Sequence, residues 1–225
     1  MAAVAAAQVP VRTEHSHATL QAMRAPQPPL IDGRLSDEVW SLARPATNFT
    51  QQDPEEGKPA SERTEVRVLY DEAALYVSAR LFDSQPALIS KRLSKRDDDS
   101  DADFVKIYLD PMLDHLTGVS FRVTASGVQR DSTIFNDTAD DATWDAVWQS
   151  AVSVDEAGWS AEIRIPLSQL RFKAVEQQTW GINVARFIRR KNETDWLEFV
   201  PKRETGLSSR MAHIDGFDGF RPKTH

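Results

Sequence analysis

Cysteine is absent from the 225-residue chain. That removes disulfides, thiolate metal sites and cysteine nucleophiles together, and it leaves the cellular compartment open. Long apolar runs are missing as well: nothing approaches the ~20 consecutive apolar residues that a membrane-spanning helix needs. There is no excess of positive charge, since 27 Lys and Arg stand against 34 Asp and Glu, a formal net charge of −7. A nucleic-acid backbone wants a basic stripe, so no nucleic-acid partner is expected. Histidine is scarce, and His15, His17, His115, His213 and His225 show no His-Glu-x-x-His spacing. No Gly-x-Ser-x-Gly elbow or phosphate loop is present, and no carboxylate pair stands out as an acid and a base. The chain reads as a binder and not as an enzyme.

What is there is β-pattern. Apolar content of 40% and charged content of 27% suit one large globular domain. The clearest stretch runs from Asp145 to Pro166. Trp148 to Val154 is rich in β-branched and small apolar residues, and Asp155-Glu156-Ala157-Gly158 supplies a turn. Trp159, Ala161, Ile163 and Ile165 then alternate with Ser160, Glu162 and Arg164, the period of a strand with one buried face. Pro166 has no N–H for a ladder and closes the strand. Similar alternation marks Val66 to Tyr70, Leu75 to Leu81, Val105 to Leu109, Phe121 to Val123, Val128 to Phe135 and Trp180 to Ile188, with Trp196 to Val200 as the last strand. Asp32-Gly33 signals a turn, Ser36 or Asp37 a cap for a short helix carrying Trp40, and Ser168 to Leu170 a single helical turn.

The sum is nine or ten strands with little helix and no βαβ rhythm. An all-β, antiparallel two-sheet β-sandwich of jelly-roll-like form, with short helical turns, is predicted. Residues 1–29 read as a leader or linker, 30–220 as the sandwich and 221–225 as a polar tail. The small apolar start, MAAVAAAQ, is similar to the end of a secretory signal, which points to an exported protein.

Several words of the sequence, in order, carry a resemblance. Ile31-Asp32-Gly33 with Trp40 comes first, then Val66-Arg67-Val68-Leu69-Tyr70-Asp71, then Asp103 to Asp110. Gly158-Trp159, Glu162, Ile165-Pro166 and Trp180-Gly181-Ile182-Asn183 follow. Over about residues 20–217 this order resembles the family 9 carbohydrate-binding modules. Gly127-Val-Gln-Arg-Asp131 and Trp144-Asp-Ala-Val-Trp148 resemble the branch that precedes outer-membrane-type barrels in bacteria.

The resemblance implies a calcium-bearing sandwich that holds a glycan or oligosaccharide between tryptophans, with polar side chains on the hydroxyls. It also implies a periplasmic or outer-membrane-associated setting, beside a barrel or another envelope protein. Arg122 falls where the family has a sugar-contacting arginine, and Trp196 where its second tryptophan lies. Ser100 stands in place of the first tryptophan and Lys106 in place of a glutamate. The candidate ligand set is Trp196, Arg122, Lys106, Asn183 and Trp144. Some related sandwiches hold a b-type haem, for which Met112, Met211, His115 and His213 are the axial candidates.

Trp40, Trp159 and Trp180 sit in apolar patterns and read as core, whereas Trp196 reads equally as core or as a ligand platform. Clustered aspartates hold calcium through carboxylate oxygens. Asp137, Asp140, Asp141 and Asp145 form the better set, in a short loop beside the hairpin, though a solvated acidic loop is the simpler reading. Asp97 to Asp101, next to Lys95 and Arg96, reads as solvated.

Overall fold

The computed structural model describes residues 19–99 and 101–219. The alanine-rich start, His15, His17, Ser100, His225 and the tail from Arg221 lie outside the described residues. Among the described residues fourteen strands follow one another: β1 (Thr19–Gln21), β2 (Met23–Arg24), β3 (Thr50–Asp53), β4 (Thr64–Tyr70), β5 (Ala74–Phe82), β6 (Phe104–Asp110) and β7 (Gly118–Thr124) come first. Then come β8 (Gln129–Phe135), β9 (Ala139–Asp141), β10 (Gln149–Asp155), β11 (Gly158–Pro166), β12 (Gln177–Ile188), β13 (Glu193–Trp196) and β14 (Ala212–Asp218). The helices among the described residues are short 3₁₀ turns, as at Glu38–Leu42 and Leu167–Gln169. None is long and apolar enough to cross a membrane.

The strands form two sheets. The smaller has the order β10-β11-β5-β4-β2, and the larger runs β1-β14-β12-β6-β7-β8-β9, with β13 on β12 and β3 on β13. The predicted sandwich is therefore present. The strands beyond the expected nine or ten are mostly two to four residues long, too short to show a period.

Two parallel pairs, β1 with β14 and β2 with β4, interrupt an otherwise antiparallel plan. They correct the expected leader boundary at residue 29. Residues 19–24 add a short strand to each sheet, and Ala22 N–H donates to Asp215 O at 2.8 Å between them. β14 was also absent from the expected strand set. Gly216, at φ +94°, and a register shift opposite Gln178 and Trp180 break the alternation that would have revealed it.

The core fills the space between the sheets. Val77, Leu81, Trp159, Ile163 and Ile165 of the smaller sheet meet Val105, Ile107, Leu109, Phe121, Trp180, Ile182 and Val184 of the larger, all fully buried. Trp159 and Trp180 are core, as their patterns predict. The 145–166 hairpin pairs Gln149 with Arg164 through to Asp155 with Gly158. Gly158 has φ +139°, and a Cβ there would lie 2.1 Å from Leu81 O, so only glycine fits this turn.

A second layer of packing covers the outer face of the smaller sheet. Ala25, Val39, Trp40 and Ala43 bury against Leu69, Ala74 and Tyr76. Its polar centre is Glu162, fully buried on β11. Glu162 accepts Trp40 Nε1–H at 2.9 Å, Gly33 N–H at 2.8 Å and Asp32 N–H at 3.0 Å. Asp37 precedes the 3₁₀ turn without capping it and instead accepts Leu30 N–H at 2.7 Å. One carboxylate thus ties together Asp32-Gly33, Trp40 and Glu162, words more than a hundred residues apart. Burial pushes the Glu162 carboxyl pKa up, and the three donors pull it back.

Replacing Glu162 with Ala leaves two buried donors and one part-buried donor without their acceptor, and it is expected to lower unfolding free energy by about 2–4 kcal/mol. Glu162→Gln keeps one carbonyl oxygen and falls between. Urea midpoints at unchanged slope measure both.

Candidate functional site

β12 is the spine of the larger sheet. One edge pairs with β6 along Gly181 to Phe187; the other is shared by β14, at Gln177 to Ile182, and β13, at Ala185 to Ile188. The change of partner falls at Asn183. Its Nδ2–H donates to Glu198 O at 2.9 Å and its Oδ1 accepts Glu198 N–H at 2.9 Å, so the side chain stands in for a missing strand contact. Asn183 is 1% exposed and spent on backbone. It positions the turn after Trp196 and offers nothing to a ligand, which corrects its place in the candidate set.

The outer face of this sheet carries an ordered row. Trp196 lies opposite Ala185, Ala185 opposite Lys106, Lys106 opposite Arg122, and Arg122 opposite Arg130. Directly opposed residues project on the same face, so the row reads aromatic, small, cation, cation, cation across five strands. Three of the candidate ligand residues, Trp196, Arg122 and Lys106, are brought together here. Arg130 and the flanking aromatics were missed, because only strand register places them beside the others.

Trp196 is half-buried and stacks on Tyr108, with ring centroids 5.4 Å apart and 27° between planes. Its Nε1–H donates to Gln52 at 3.2 Å, which holds the ring in place. Lys106 Nζ sits 4.7 Å from the Tyr108 ring centre. Arg122 lies over Phe104 at 5.2 Å, and Phe104 stacks on Phe187 at 5.3 Å. Leu207 and Met211 pack with Tyr108, Ala185 and Trp196 at the far side.

The cations are held by two carboxylates. Asp99 accepts Arg122 at 2.9 Å and also bonds Arg130, while Asp98 O accepts a second Arg122 N–H at 2.7 Å. Asp140 lies 3.6 Å from Lys106 and 3.8 Å from Arg130, and it accepts the Ser132 hydroxyl. Burial lowers the Lys106 pKa, Arg130 and Arg122 lower it further, and Asp140 works the other way. Burial alone would raise Asp99, but its bonds to Arg130 and Arg122 hold it below the usual carboxylate range.

The remaining candidates lie elsewhere. Trp144 is half-buried against the core, edge-on to Phe121 at 5.8 Å, so it is on the inner side of the sheet and away from the row. Trp148 packs on the same ring at 5.3 Å, and its Nε1–H donates to Asp131 at 3.0 Å. Asp131 also accepts Ala146 N–H at 2.6 Å, which explains why Asp131 and the 144–148 word occur together. His115 and His213 do come together, with rings 6.3 Å apart. Met211 is buried beside Gly181.

The four aspartates proposed for calcium do not converge. Asp137 accepts the N–H groups of Leu207 and Ser209 at 2.9 and 2.8 Å, anchoring the segment before β14. Asp140 faces the cationic row, and Asp141 closes a local turn on Thr143 N–H at 2.9 Å. Asp145 meets Arg96 at 3.0 Å. Among the described residues no three His, Cys, Asp or Glu are grouped as ligands for a metal ion. Donors to each carboxylate come from the protein itself, so this set does not fit calcium.

Two packed sheets and an outer strand face lined by aromatic rings and cations define a β-sandwich recognition domain. The chain belongs to the carbohydrate family 9 binding domain-like family, whose model matches residues 31–199. Among solved structures, it resembles a family 9 carbohydrate-binding module of Caldicellulosiruptor kristjanssonii in complex with cellotriose. That likeness has 16% identity and a TM-score of 0.63, and it covers 92% of this chain and 95% of that one. The same module with glucose matches at 16% identity and TM-score 0.63, over 90% and 97%. A putative carbohydrate-binding protein of Bacteroides uniformis matches at 10% identity and TM-score 0.69, over 90% and 100%. These likenesses establish the fold. A sequence comparison with curated proteins finds no match.

Behind the row, on the inner side of β13, Asp195 is fully buried opposite Arg186. Burial, reinforced by Glu193, pushes its pKa up to about 8. An unfolded aspartate ionises near 3.9, so between about pH 4 and 8 the native state holds a proton that the unfolded state has lost. Stability is therefore expected to fall as pH rises through that window and then to level. Asp195→Asn should flatten the profile, read from melting temperature against pH in both proteins.

Proposed function

We propose that this domain binds a glycan on the outer face of the larger sheet and does not catalyse. The observation that carries the reading is the cross-strand row, with Trp196 stacked on Tyr108 at one end and Lys106, Arg122 and Arg130 continuing it. A flat aromatic ring offers a surface for the apolar face of a sugar, and the charged side chains offer donors to its oxygens. Family membership supports the reading, as do the cellotriose and glucose complexes of the structurally similar module. An exported setting, next to an outer-membrane barrel, extends the proposal on the strength of the words shared with that branch.

Calorimetry against soluble oligosaccharides tests it. Trp196→Ala and Arg122→Ala are each expected to weaken binding at least roughly tenfold, about 1.4 kcal/mol, with melting temperatures showing that both variants fold. No heat from any sugar would reject glycan binding and favour an accessory domain whose partner is a protein.

A further inference from the structure

Three like charges directly opposite one another on adjacent strands destabilise a sheet, yet Lys106, Arg122 and Arg130 occupy one such row. Two carboxylates face them, Asp99 and Asp140, so the cluster keeps one positive charge in excess on a chain whose net charge is −7. The two carboxylates differ in setting. Asp140 comes from β9 within the sheet and is fixed by Ser132. Asp99 reaches in from outside: its side chain is 77% exposed, while those of Arg122 and Arg130 are only 8% and 19% exposed. It bridges both guanidinium groups. The Nε groups of Arg122 and Arg130 have no partner among the described residues.

From this we infer that the site takes an acidic glycan, a uronic-acid oligosaccharide, whose carboxylate replaces that of Asp99 between Arg122 and Arg130. The inference rests on the glycan-binding reading and deepens it. Asp99 already shows that a carboxylate reaches both guanidinium groups from the solvent side. Guanidinium pairs with carboxylate more strongly and with better-defined geometry than with a neutral hydroxyl. The row from Trp196 to Arg130 crosses four strand spacings, roughly 19 Å, which is room for more than one sugar ring. A ligand stacked on Trp196 thus reaches the arginine pair with a later residue. Exchange of one carboxylate for another leaves the number of charge-assisted bonds unchanged, so the ligand does not have to desolvate a bare cation.

The test compares cellotriose with cellotriuronate, its counterpart carrying C6 carboxylates, by calorimetry on the whole chain at low and high salt. Cellotriuronate is expected to bind at least roughly tenfold more tightly at low salt, with the advantage shrinking as salt screens the charges. Asp99→Ala, which empties the place between the arginines, should raise cellotriuronate affinity several-fold. Arg130→Gln should bring the ratio of the two affinities toward one, and Arg130→Lys should restore it only in part. If cellotriose binds as well as cellotriuronate, or if Asp99→Ala leaves the ratio unchanged, the acidic-ligand assignment fails while glycan binding stands. If neither trisaccharide nor any other sugar binds, both fail.

Discussion

Halfway along β12 the strand changes neighbour, and the carboxamide of Asn183 spans the change by pairing with both backbone groups of Glu198. A sheet edge left open at its centre would expose unpaired N–H and C=O groups. Here one side chain supplies the donor and the acceptor that the ladder lacks. Because of that bridge, β13 can follow β14 along the same edge of β12. Trp196, at the end of β13, then lies in register with Ala185 and, beyond it, Lys106. The cross-strand row from Trp196 to Arg130 exists because the strand order places β13, β12, β6, β7 and β8 side by side.

That face is electrostatically costly. Three cations in one cross-strand row repel one another, and burial makes the Lys106 charge harder to keep. Aromatic rings at Tyr108 and Phe104 and carboxylates at Asp99 and Asp140 offset the cost. Thr or Val in place of Arg122, the middle cation, would remove both directly opposed like-charge pairs and keep the strand.

The opposite side of the molecule solves a different problem. The smaller sheet turns its outer face to the 25–43 segment, and Glu162 is the polar centre of that contact. Both layers use the same device: a polar side chain, buried or half-buried, that bonds the backbone of an irregular segment and so fixes it on a regular sheet. Asp137 does this for residues 207–209, and Asp131 for residues 146–148. These carboxylates look alike in sequence. Only their partners separate them from one another and from metal ligands.

The sequence by itself determined the class of fold and most of the core. Alternation at Val105 to Leu109, Trp159 to Ile165 and Trp180 to Val184 follows from the two-residue period of a strand with one buried face, a local property. Family words added Arg122, Lys106 and Trp196. What remained hidden was non-local. Asn183 and Trp144 sit in characteristic words, but one is spent on Glu198 and the other packs under Phe121. The aspartates of the 137–145 loop are close in the chain and point to four different partners. Arg130 joins the candidate row only because β8 pairs with β7 in a register that sets it opposite Arg122. Which strands lie side by side, and in which register, is set by packing across the whole sandwich, and that was decided only by the tertiary structure.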